Sequence, residues 1–206
     1  MPSALCSMPH APCPLPHAPC PLTGILLAGG KSIRMGREKG MVVYKGKPLI
    51  QYGIELLSAY TDRILISSAN PVYKKFGLEM VPDEIVGQGP AAGIAAALKH
   101  SRTPWNLVLA CDLPFLESEL IDVLLAAADN NQAVIPVHQG VSEPLAGLWH
   151  RDLAENLRLS VAAGNLALHK ILQPCNVHYL ETGPLLLKYP NLFANFNSLK
   201  EMDPYL

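Results

Sequence analysis

Apolar residues fall along this chain in two rhythms. Short continuous runs, Gly24-Ile25-Leu26-Leu27-Ala28, Arg63-Ile64-Leu65-Ile66-Ser67-Ser68 and Asn106-Leu107-Val108-Leu109-Ala110-Cys111, have the length and composition of strands buried on both faces. Residues 78–81, 133–137 and 145–149 predict further strands. Between them the apolar positions recur at helical spacing. Pro48 opens one such stretch that runs to Ala59, and Gly89-Pro90 precedes an Ala-rich one over 91–99. Residues 117–128, 153–158 and 166–172 read as further helices. Alternation of this kind predicts an α/β fold, a mostly parallel central sheet with helices on both faces. In that architecture ligands bind beyond the carboxyl ends of the strands. The Gly29-Gly30 loop, the loop after Ser68 and the turn at Asp112 are therefore expected on one edge.

Composition changes this picture at the amino terminus. Residues 1–21 lack Lys, Arg, Asp and Glu, yet hold seven of the 19 prolines and three of the five cysteines. Residues 9–15 repeat identically as 16–22. Proline at every second or third position excludes a helix or central strand, so residues 1–22 are expected to form a disordered, PPII-like tail ahead of one domain over 23–206. The 206 residues are 50% hydrophobic and 16% charged, enough for one substantial core. A net charge of −1 removes the electrostatic footprint of a nucleic-acid binder. No apolar run reaches the roughly 18 to 20 residues of a membrane span, and no basic-then-apolar leader opens the chain. Without a C-x-x-C pair, the cysteines point to a reducing compartment, and a soluble cytoplasmic protein is expected.

Charge is nevertheless concentrated. Six of the 16 basic residues, Lys31, Arg34, Arg37, Lys39, Lys45 and Lys47, fall between positions 31 and 47, opposed only by Glu38. Glycines after a buried strand let backbone amides approach an anion, and the cations neutralise it, so a polyphosphate ligand is expected. Gly30-Lys31-Ser32 matches the end of a P-loop, but the motif needs glycine at position 25, which is Ile25. No G-x-G-x-x-G follows the strand either.

The stretch Leu27-Ala28-Gly29-Gly30-x-Ser32-x-Arg34-Met35-Gly36-x-x-Lys39 resembles the signature of the molybdenum cofactor guanylyltransferases, within the Rossmann-like nucleotidyltransferases. The likeness continues through Lys47-Pro48-Leu49-Ile50, Ser68-Ala69-Asn70, Val81-Pro82-Asp83 and Gly89-Pro90-Ala91-Ala92-Gly93-Ile94. Ala110-Cys111-Asp112-Leu113-Pro114-Phe115 and Phe193-Ala194-Asn195-Phe196-Asn197 complete it, so nearly all of residues 24–203 is covered. The family's Leu is replaced by Ala91, and its Thr-Pro after the second Asn by Ser198-Leu199.

The resemblance implies a three-layer Rossmann-like nucleotidyltransferase fold and transfer of GMP from GTP to molybdenum-bearing molybdopterin. It also implies transient contact with a molybdoenzyme or cofactor-insertion protein. Phosphoryl transfer of this sort requires charge neutralisation and positioning more than a nucleophilic side chain. Arg34 and Lys39 would hold the GTP phosphates, with Gly30 in the phosphate loop. Asp112 is the candidate Mg²⁺ ligand, because a hard cation takes carboxylate and phosphate oxygens together; alone it would read as a turn former. By resemblance, Leu27, Ala28 and Gly29 offer backbone contacts to guanine, Asn70 binds nucleotide, Asp83 helps bind nucleotide or metal, and Gly89 and Pro90 shape the purine pocket. Asn195 and Asn197 fall on the pterin side. Glu143-Pro144-Leu145 reads either as acceptor wall or as strand entry. Other readings are a cytidylyl- or sugar-phosphate nucleotidyltransferase of the same fold, or a noncatalytic nucleotide binder.

Overall fold

The structure, a computed structural model, describes residues 21–29, 31–32, 37–82 and 88–196. Eight strands form the central sheet: β1 (Leu22–Leu27), β2 (Ile64–Ser67), β3 (Glu79–Val81), β4 (Trp105–Ala110), β5 (Ala133–His138), β6 (Val141–Ser142), β7 (Ala146–His150) and β8 (Val177–Glu181). The helices are α1 (Leu49–Ser58), α2 (Gly89–His100), α3 (Ser118–Ala126), α4 (Leu153–Ala162), α5 (Leu168–Leu172) and α6 (Gly183–Lys188). β1 lies at the centre, parallel to β2 on one side and to β4 on the other, and β3 extends the sheet beyond β2. β7 runs antiparallel between β4 and β5. β8 pairs in parallel along β5, while the short β6 returns antiparallel on it.

The continuous apolar runs conceal a strict alternation. Ile25, Leu65, Val108 and Ile135 pack on one face against α2, α4 and α5. Leu26, Ile66, Leu107 and Val134 pack on the other against α1 and α3. Each strand thus serves two cores, and replacing an apolar residue by a polar one on either side would cost roughly 1.5 to 3 kcal/mol of burial. Small residues set the layer spacing. Every residue from Ala91 to Leu98 is buried, so α2 fits between the sheet and α4. At Gly53 of α1 an added Cβ would lie 2.6 Å from a Leu26 methyl, which fixes how near α1 approaches β1.

Several boundaries differ from the sequence reading. β1 begins at Leu22, which composition had placed in the tail, because Leu22 pairs with Trp105 of β4. α4 continues to Ala162, and α5 starts only at Leu168. β8 was not anticipated: its residues are mostly exposed, so it carries no apolar run, and its strand geometry comes from pairing with β5.

Candidate active site

The carboxyl ends of β2, β1 and β4 stay locked together past their last ladder pairs. The Ala28 amide donates to the Ser67 carbonyl at 3.1 Å, and the Cys111 amide to the Leu27 carbonyl at 3.1 Å. The chain then leaves β4 in a turn at Cys111-Asp112, and Asp112 emerges at the edge with its side chain 11% exposed. A short 3₁₀ turn, Lys39–Met41, crosses the same edge. Lys39 Nζ donates to Asp112 Oδ2, so a cation and a carboxylate 73 residues apart in sequence meet beyond the strands.

Glycine allows that approach. A Cβ at Gly40 would fall 2.9 Å from the Tyr73 hydroxyl and 3.3 Å from Cys111 Sγ, so only a residue without a side chain seats this turn. Tyr73 is fully buried beneath it and lies 3.4 Å from Glu38 Oε2. Burial pushes the Cys111 thiol up to about 12, so it remains a neutral wall and no nucleophile. The Phe196 amide donates to the Asp112 carbonyl at 3.2 Å, and its ring joins Tyr44 and Phe115. The C-terminal segment is thereby fastened to the Asp112 turn.

Beside this contact opens a cleft of about 350 Å³. Asp112, Pro90, Asn195, Glu143, Leu166 and His169 are among its walls. The structure therefore brings together Asp112, Pro90 and Asn195 from three distant stretches, with Lys39 paired to the first. Glu143 was open between strand entry and acceptor wall; it precedes β7 and lines the cleft. Leu166 and His169, ahead of and within α5, carried no signal in sequence beyond helical spacing.

The remaining candidates are distributed along the edge. Leu27 and Ala28 are buried, and the Leu27 carbonyl and Ala28 amide are already engaged by β4 and β2; Gly29 is exposed just beyond them. Asn70 caps the 3₁₀ helix Pro71–Phe76, its Oδ1 accepting from the Val72 amide at 3.0 Å. Gly89 opens α2 with φ of 69°, a left-handed conformation suited to glycine. Gly30, Arg34, Asp83 and Asn197 lie outside the described residues. Of the basic cluster's described side chains, Lys39 reaches Asp112, whereas the other two turn to aromatic rings. Lys45 and Lys47 stand over the rings of Tyr44 and Tyr52 at 5.3 and 4.2 Å, and Lys47 also pairs with Glu55. Both belong to the hairpin before α1, and the aromatic faces attract them there.

As to a metal, the donor chemistry fits a site completed by substrate. Among the described residues no three His, Cys, Asp or Glu side chains converge, and Asp112 provides one hard oxygen donor at the cleft. A Mg²⁺ ion commonly takes one or two carboxylates and fills its shell with phosphate oxygens and water.

A mostly parallel α/β sheet carrying a lysine–carboxylate contact beyond its carboxyl edge is the framework of a Rossmann-like nucleotidyltransferase. The chain belongs to the MobA-like NTP transferase family, whose domain model matches residues 24–179. It is 30% identical over 185 residues to a molybdenum cofactor guanylyltransferase of Vibrio parahaemolyticus, covering 88% of this chain and 93% of that one. A protein of Halalkalibacterium halodurans named probable molybdenum cofactor guanylyltransferase is 39% identical over 138 residues, 63% of this chain and 70% of its own. Among solved structures, molybdopterin-guanine dinucleotide biosynthesis protein A of Archaeoglobus fulgidus superposes with a TM-score of 0.76 at 27% identity, covering 88% of this chain and 95% of that chain.

Proposed function

We propose that the protein transfers GMP from GTP to the terminal phosphate of molybdenum-bearing molybdopterin. An oxygen of the acceptor phosphate attacks the α-phosphorus of GTP, the bond from that phosphorus to the α–β bridging oxygen breaks, and pyrophosphate leaves with the electron pair. The observation that carries this reading is the Lys39–Asp112 contact beside a cleft that also holds Pro90 and Asn195. It is supported by similarity across most of the length of relatives named for this activity.

The residues divide the work by position. Lys39 exchanges Asp112 for phosphate oxygens when GTP arrives, and with Arg34 it offsets charge developing on the transferred phosphoryl group. Asp112, released from Lys39, would hold Mg²⁺, which supplies further neutralisation of the phosphates when bound. A partly buried ion pair contributes little net stability, because desolvation cancels much of its attraction. Its two members are therefore available for ligands at small cost. Gly29 and Asn70 are assigned to the nucleotide, as is Asp83 from its sequence motif, with Gly89 and Pro90 shaping the purine pocket. Asn195 and Asn197 serve the acceptor. In this reading the enzyme acts in the cytoplasm and hands its product to a molybdoenzyme or an insertion protein.

Pyrophosphate release from GTP, CTP, ATP and UTP, each with Mg²⁺ and molybdenum-loaded molybdopterin, tests nucleotide, acceptor and turnover together. Acceptor-dependent release with GTP alone is expected. Preference for CTP would overturn the base assignment, and binding without release for every nucleotide would overturn the transfer.

A further inference from the structure

Among the described residues that line the cleft, the only carboxylate apart from Asp112 is Glu143. Its position is built with care. β5 and β6 are joined by Gln139-Gly140, both at positive φ, 50° and 77°, as a two-residue hairpin turn of this hand requires. The returning chain is then held on each side: the Glu143 amide donates to the Pro136 carbonyl at 2.8 Å, the Ala146 amide to the Glu143 carbonyl at 3.1 Å, and Trp149 Nε1 to the Pro144 carbonyl at 3.1 Å. Glu143 Oε1 lies 3.0 Å from His138 Nε2, while Oε2 takes no hydrogen bond among the described residues. The His138 ring in turn stacks flat on Phe193, with centroids 5.0 Å apart and planes at 5°. Two residues beyond Phe193, Asn195 enters the same cleft. One ring stack thus orients a carboxylate on one wall and links it to the segment carrying an amide on another.

We propose that Glu143 is a specificity-determining residue that accepts hydrogen bonds from the ring N–H and adjacent amino group of the acceptor's pterin, with His138 as its positioning residue. This rests on the GMP-transfer reading. An aminopyrimidinone ring presents two parallel N–H donors, and a carboxylate matches such a pair in the forked manner it uses with guanidinium. Guanine carries a similar edge, so place decides between them. β1 and β2, whose ends carry the nucleotide candidates Gly29 and Asn70, lie on one side of β4, and Glu143 lies between β6 and β7 on the other, in the cleft it shares with Pro90. Between the two stands Asp112, where the phosphates would meet.

The test is Glu143→Gln, which turns one acceptor into a donor facing the ring's own donors. Steady-state kinetics on the full chain with GTP and molybdenum-loaded molybdopterin should show the acceptor KM raised about 10- to 100-fold, with the GTP KM held. Fluorescence titration with 6-hydroxymethylpterin, which lacks a phosphate, should show the same loss of affinity. If thermal melting shows that the Gln variant does not fold, Glu143→Asp is read instead: it keeps both oxygens but retracts them, and should again raise the acceptor KM alone. An unchanged acceptor KM in a folded variant overturns the inference and leaves GMP transfer standing. A raised GTP KM also overturns it, by assigning Glu143 to guanine. Glu143-dependent binding of 6-hydroxymethylpterin by a wild-type protein that transfers no GMP would sink the transfer reading and keep the ring contact.

Discussion

At the amino ends of β1 and β4 the buried hydroxyls close on one another, whereas at the carboxyl ends of the same strands the polar groups face a cleft. Thr23 and Thr103 share a hydrogen bond of 2.8 Å, Ser101 donates to Thr23 at 3.3 Å, and Thr103 donates to the Trp105 carbonyl at 2.9 Å. Thr61 caps the Leu22 carbonyl at 2.6 Å. The hydroxyls at this end all find protein partners, although Asn106 Oδ1 beside them takes none among the described residues, and their effect is to hold the strand starts in register. At the other end Lys39 and Asp112 hold each other by a contact that, in the proposed function, a phosphate and a cation replace, and Glu143 Oε2 takes no bond among the described residues. Burial of polar groups is common to both. What separates structure from chemistry is whether a ligand could take the place of a partner.

The contrast breaks first, and most widely, at Asp112. Asp112→Asn keeps the shape and should lower GMP transfer about a thousandfold, with the melting temperature nearly unchanged; a variant that turns over normally would remove Asp112 from the site. At the opposite end, Thr23→Val should lower stability by about 1 to 3 kcal/mol, because Thr103 and Ser101 lose a buried partner. Denaturant unfolding reads this, and the GTP KM of the folded variant should stay at its wild-type value.

Smaller effects sharpen the picture away from both ends. The Tyr60 hydroxyl bonds the Ser118 carbonyl and Asp122 Oδ1 between α1 and α3, and burial with the Asp122 carboxylate raises it from 10 to about 12. The folded state therefore keeps this proton longer than the unfolded chain. Its contribution is complete below pH 10 and lost as pH climbs towards 12. The free energy of unfolding, followed across that window, should fall less steeply for Tyr60→Phe than for wild type. Last, Lys188→Ala removes an exposed pair with Glu119 and should leave both melting temperature and turnover at their wild-type values.

How much was legible in sequence varies with the range of the forces involved. β1, β2 and β4 could be read within one or two residues, since runs such as Leu107-Val108-Leu109 suit only a position buried on both faces. Lys39 and Asp112 could be picked out because each follows a strand within a recognisable stretch. Glu143 remained ambiguous because its neighbours Pro144 and Leu145 serve equally as strand entry. The His138–Phe193 stack had no signal at all, with the partners 55 positions apart and neither in a motif that names the other.

The order of apolar and polar residues was thus sufficient by itself for the α/β alternation, the two-sided strands and the edge where ligands should bind, because hydrophobic burial acts through local periodicity. Tertiary structure alone decided that Leu22 joins the sheet, that Lys45 and Lys47 turn to aromatic rings, that β8 becomes a strand, and that Glu143 lines the cleft beside Asp112 and Asn195. Those outcomes depend on hydrogen bonds and ring contacts between segments that only packing of the two cores brings within reach.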